Sequence, residues 1–164
     1  MRFKAILDTT AKMVTASVCV VIIIPFIFIF EAFAATHNYL MLLTPIIVIL
    51  VIGITALWKP NAYMLDSEGL EIHRLLGIKR FSLDQLSSAE VAVKEELGLG
   101  LRTFGSGGAF GYLGKFWYSK AKSVTMYVTD RSKMILVTLS NGKKIMVSPD
   151  ETAQFLAEFN RLKK

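Results

Sequence analysis

The sequence predicts a membrane α-helical hairpin of two transmembrane helices, followed by an α+β domain of antiparallel strands closed by a C-terminal helix. Three observations carry that expectation. Between Met13 and Trp58 the only charged side chain is Glu31; after Pro60 the apolar residues recur every second position; after Pro149 they return to helical spacing. At about 1.5 Å per residue, Met13–Phe30 rises about 27 Å and Tyr39–Trp58 about 30 Å, against a hydrocarbon core of about 30 Å. We therefore assign residues 1–59 to the hairpin, with spans at about 13–35 and 39–58, and residues 60–164 to the second unit.

A chain of 164 residues, 53% of them apolar, has room for one membrane unit and one small domain. Its formal net charge of +6 comes mostly from Lys and Arg beyond Lys59. A basic domain tethered at a bilayer faces anionic headgroups, so a lipid surface is the expected partner and nucleic acid is not. Cys19 stands alone inside the first apolar block, which excludes an intramolecular disulfide and reads as an apolar side chain.

Arg2, Lys4 and Lys12 precede the first span, Thr36-His37-Asn38 between the spans has no Lys or Arg, and Lys59 follows the second. Because Lys and Arg are retained on the cytoplasmic side, both termini and the domain are expected there. Arg2, Lys4, the apolar run and Ala32-Phe33-Ala34 imitate a secretory signal. The run exceeds the usual 7–15 residues of such a signal, however, and a second span follows at once. Pro25, Pro45 and Gly53 are expected to shape the hairpin, with Glu31 and His37 at its interfacial end.

Beyond Lys59-Pro60 the pattern reads as strands at 62–65, 70–74, 78–83, 88–93, 123–129, 133–139 and 143–147. Asp66-Ser67-Glu68-Gly69, Asp130-Arg131-Ser132 and Ser140-Asn141-Gly142 supply turns, the last because Asn and Gly both accept positive φ. Glu95-Glu96 reads as a solvated turn. From Leu97 to Gly114 glycine is too dense for a stable helix and favours turns, bulges or close backbone approach. The tail predicts a helix over about 149–162: Ser148 as cap, Pro149 in the first position, Glu151 completing a capping box. Ala153, Phe155, Leu156, Phe159 and Leu162 form its apolar stripe, and Arg161, Lys163 and Lys164 suit its C-terminal dipole.

The segment Thr103-Phe104-Gly105-Ser106-Gly107-Gly108-Ala109-Phe110-Gly111-Tyr112-Leu113-Gly114, with Tyr127-Val128-Thr129 and Ile145-Met146-Val147-Ser148-Pro149, resembles the bacterial pleckstrin-homology (PH)-like domain proteins. The resemblance runs from about Pro60 to Lys164. It implies a seven-stranded antiparallel β-barrel or sandwich capped by the final helix, held at the bacterial inner membrane by the two preceding helices.

Chemical motifs are sparse. Gly105-Ser106-Gly107 lacks the spacing and the strand-loop-helix setting of a dinucleotide fingerprint. Gly114-Lys115 is followed by Phe116 where a P-loop needs a hydroxyl. His37 and His73 lie on opposite sides of a span, so no metal site is expected, and no serine stands in a nucleophile-elbow motif or has a convincing base. The expectation is a non-catalytic protein without a cofactor. The best recognition candidate is the run after the glycines: Lys115, Trp117, Tyr118, Lys120 and Lys122, extended by Arg102 and Phe104. There, alternating rings and ammonium groups suit a headgroup layer. The first turn of the domain, Asp66-Ser67-Glu68, is acidic where phosphoinositide-reading PH domains are basic. Function is thus expected to be interaction with a protein partner, a homo-oligomer included, or with anionic headgroups. Two alternatives stay open: a subunit of an oligomeric channel or transporter, and a small-ligand domain using the glycine-rich loop.

Overall fold

The computed structural model describes residues 1–93 and 97–163; the Glu95-Glu96 turn and the helix-terminal role of Lys164 fall outside them. A short strand β1 (Arg2–Lys4) precedes helix α1 (Thr9–Thr36), and a 3-10 turn leads into helix α2 (Leu43–Leu57). Strands β2 (Pro60–Asp66), β3 (Gly69–Arg74), β4 (Ile78–Ser82) and β5 (Leu86–Val91) follow. Next come β6 (Gly100–Gly108), β7 (Gly111–Tyr118), β8 (Lys122–Val128), β9 (Ile135–Leu139) and β10 (Lys144–Val147), and helix α3 (Thr152–Leu162) closes the chain.

The apolar hairpin forms as its lack of charge dictates, with side chains along both helices exposed to the surroundings. α1 has 28 residues, about 42 Å of rise, and outlasts α2 by more than two turns at its N-terminal end. It starts at Thr9 rather than near Met13 because the Asp8 carboxylate accepts from the Ala11 N–H at 2.6 Å and caps it. Pro25 and Pro45 line an apolar groove between the two helices.

The domain is not a single seven-stranded antiparallel barrel. It has a four-stranded sheet, β1-β2-β3-β4, and a six-stranded sheet, β5-β9-β10-β8-β7-β6, in which β10 and β8 run parallel. Two departures from the sequence reading explain the difference. Arg2–Lys4, read only as flanking charge, pairs with β2, and the glycine-rich segment is itself a long strand hairpin rather than a loop.

The core lies in two layers on either side of the six-stranded sheet. Tyr63, Leu65, Leu70 and Ile72 meet Ile135, Val137, Ile145 and Val147 between the sheets. α3 plugs the gap with Phe155 and Phe159, the Phe155 ring standing edge-on to Phe3 at 5.3 Å. On the opposite face Tyr112, Phe116, Val124, Met126, Leu136 and Met146 pack under Ala11 of α1.

The capping box does not form. α3 begins at Thr152 with Glu151 as an N-cap that makes no side-chain bond. Ser148 is instead buried, its Oγ accepting from the Thr129 N–H at 2.8 Å and lying 3.4 Å from the Tyr63 hydroxyl. A buried amide without a partner costs more than an exposed helix end, which water satisfies, so the tertiary contact wins. Ala153 is exposed, off the predicted stripe. In the Asn141-Gly142 turn only Gly142 takes positive φ.

Candidate functional site

The open part of the six-stranded sheet is β6, β7 and the start of β8, where Lys115, Trp117, Lys122 and Ser123 are exposed; farther along β8, Tyr127 already packs against the core. Its position follows from two close approaches that only glycine permits. A Cβ on Gly105 would strike the Leu113 carbonyl oxygen, and one on Gly114 the Phe104 carbonyl. At the hairpin tip Gly108 lies against Val14, and the Phe110 N–H donates to Thr15 Oγ1 at 2.8 Å. Asp8 adds a second tie between α1 and the domain. Its N–H donates to the Thr129 carbonyl at 3.0 Å, and its carboxylate accepts from the Arg131 N–H at 3.2 Å. The extra turns of α1 are thus a post against which the glycine-rich hairpin leans.

Pleating divides the predicted site residues between two faces. On β7, Leu113, Lys115 and Trp117 share the inner face with Thr125 and Ser123 of β8, while Tyr112, Phe116 and Tyr118 turn to the outer core layer. Across the bulge between Arg102 and Phe104, Leu101 sits beside Trp117 and Phe104 beside Lys115. The structure therefore brings together Phe104, Lys115, Trp117 and Lys122. The Lys122 ammonium stands 5.8 Å from the Trp117 ring, on a backbone with φ of 63°. Tyr118 lies on the opposite face, lining a pocket with Arg131, whose guanidinium stacks 3.8 Å over the Tyr112 ring; Arg102 borders that pocket and also the groove that holds Phe104. Burial raises the phenol pKa values of Tyr112 and Tyr118, and Arg131 pulls both the other way. Lys120 turns away to a third pocket, with Glu90 and Lys144.

Two grooves meet along β7. The first, of about 500 Å3, runs between α2 and the hairpin and is walled by Val51, Ile54, Trp58, Phe104 and Leu113. The second, of about 570 Å3, is lined by Lys115, Lys122, Lys143 and Lys144 with Ser123 and Thr125. Leu113 faces the first groove and Lys115, two residues on, faces the second, so an apolar slot opens into a basic one. Sequence reasoning missed Lys143, Lys144 and the α2 wall. The two lysines follow the Asn141-Gly142 turn, and only the parallel β8–β10 pairing brings them beside Lys122. Among the described residues no group of three or more His, Cys, Asp or Glu side chains is placed to hold a metal ion.

A family model described as bacterial PH domain matches residues 61–163. No curated protein and no solved structure matches the chain.

Proposed function

Because the chain belongs to the bacterial PH domain family, we propose that it is a non-catalytic integral protein of the bacterial inner membrane whose cytoplasmic PH-like domain holds anionic phospholipid at the leaflet surface. α1 and α2 are the spans; their length, apolar composition and exposed side chains support this. Lys and Arg at the outer ends of the hairpin support the cytoplasmic orientation. The observation that carries the lipid reading is the junction of the two grooves at Leu113 and Lys115. One acyl chain lies along Val51 and Ile54 while the phosphate meets the ammonium groups of Lys115, Lys122 and Lys143, each worth about 1 kcal/mol near an anionic surface.

Native mass spectrometry of the full chain released from mild detergent tests this. The wild type retains phosphatidylglycerol in preference to phosphatidylcholine, and the combined Lys115→Glu, Lys122→Glu and Lys143→Glu variant loses that preference. Equal retention by both proteins rules the lipid site out. A protein partner is the second reading, favoured by one feature. β6 is an edge strand whose Leu101 is 65% exposed, a template for an added strand. A photo-crosslinking residue at Leu101 that traps no neighbour in membranes removes it.

A further inference from the structure

The β3–β4 turn stands apart from that site. Its tip carries Leu75, Leu76 and Ile78, which are 67%, 53% and 44% exposed. The turns at Asp66-Ser67-Glu68 and Ser140-Asn141-Gly142 are polar, so three large apolar side chains on one solvent-facing turn require an explanation. The backbone places them. Gly77, at φ of 78°, lets the turn close through a 3.2 Å bond from the Arg74 N–H to its carbonyl. The Leu76 N–H then donates at 3.0 Å to the carbonyl of Leu57, the last residue of α2. The turn is therefore level with the end of that helix, where Leu57 and Trp58 are exposed as well.

Charge agrees with position. Lys59 follows the end of α2, two residues after the Leu57 that the turn is bonded to. Among the described residues the ion pairs are Glu71 with His73 and Arg80, and Glu158 with Arg161, which leaves Lys59 without a carboxylate. The acids Asp66 and Glu68 sit at the other end of the β2–β3 pair, about 20 Å along the strands.

We infer that the β3–β4 turn is a third membrane foot: Leu75, Leu76 and Ile78 enter the leaflet that α2 leaves, and Lys59 meets its phosphates. This inference rests on α1 and α2 spanning the bilayer. Its ligand is the lipid surface itself rather than a lipid molecule held in the grooves. Apolar insertion and basic contact add, as they do in interfacial anchors.

The full chain with Cys19→Ser tests it, reconstituted in vesicles of phosphatidylglycerol and phosphatidylcholine and carrying one fluorophore-labelled cysteine at a time. The label sits at Leu76→Cys, at Ser67→Cys in the distal turn, or at Ile49→Cys within α2. Lipids with a nitroxide near the headgroup end of the acyl chain quench the Leu76 label severalfold more than the Ser67 label. Aqueous iodide shows the reverse order. A deep nitroxide quenches the Ile49 label. If the Ile49 label is quenched while Leu76 behaves as Ser67 does, the foot is overturned and the spans stand; if Ile49 escapes quenching, the spans fall first. A Leu76 label shielded from both lipid nitroxide and iodide assigns the tip to a protein partner and likewise overturns the foot.

Discussion

The β9–β10 hairpin buries Ile135, Val137, Leu139, Ile145 and Val147 on one face and Leu136 and Met146 on the other. The β6–β7 hairpin of the same sheet alternates glycines with rings and lysines, buries one face, and leans on a helix. One is stabilised by the volume it fills, the other by the volume it leaves empty. A methyl group removed from the first and a methyl group added to the second therefore harm the protein in the same direction. The four outcomes below break or sharpen that contrast, in falling order of size; each is read on the full chain in detergent micelles.

Phe155→Ala opens a cavity against the β9–β10 side of the core and costs about 3–5 kcal/mol in denaturant unfolding. A loss below about 1 kcal/mol means that α3 does not plug that layer. Tyr63 comes next. It donates at 2.6 Å to the Tyr127 carbonyl, and burial pushes its phenol up to about 12 from 10.0. With the folded value raised, the stabilisation is complete below pH 10 and is lost as pH climbs to about 12. The loss amounts to about 3 kcal/mol, at about 1.4 kcal/mol per pKa unit. Tyr63→Phe removes its share of the alkaline slope, to which Tyr112, Tyr118 and Tyr127, whose phenols burial also raises, contribute as well; an unchanged slope places its origin elsewhere.

Gly105→Ala sets a Cβ on the Leu113 carbonyl at φ of 115° and costs about 2–3 kcal/mol. Gly142→Ala, with open space around it and φ of 78°, costs about 1 kcal/mol. Equal costs would show that strain alone, without close approach, accounts for both glycines. Smallest is Thr15→Val, which keeps the shape but takes the acceptor from the Phe110 N–H, a change of about 1 kcal/mol. Amide hydrogen exchange at Phe110 accelerates while exchange in β9 stays the same; acceleration in both would make the dock part of the global core.

Period and charge made the helices, most strands and the α3 stripe at Phe155 and Phe159 legible, because those patterns are local. The rest depends on partners far away in the chain. Ser148-Pro149-Asp150-Glu151 has the spelling of a helix start, yet Thr129 and Tyr63, distant in sequence, hold Ser148 more strongly than the helix does. Glycines between Gly100 and Gly114 read as loop since propensity counts side chains, whereas here the absent side chains are what lets two strands and a helix approach. The candidate recognition run was half legible. Lys115, Trp117 and Lys122 do gather, but alternation turns Tyr118 to the other face and the tight turn at Lys122 carries Lys120 away. Lys143 joins the cluster only through a parallel pairing that no local pattern announces.

β1 lies just before α1 and β2 just after α2, and they pair as Arg2 with Met64, Phe3 with Tyr63 and Lys4 with Ala62. The two roots of the helical pair are thereby buckled together outside the apolar zone. For one helix to slide lengthwise past the other by a single residue, the buckle would have to slip one step and swing Phe3 away from Phe155 into water. Piston-like strokes between the helices are barred. What remains is tilting of the pair as one lever, with the sheet as its handle.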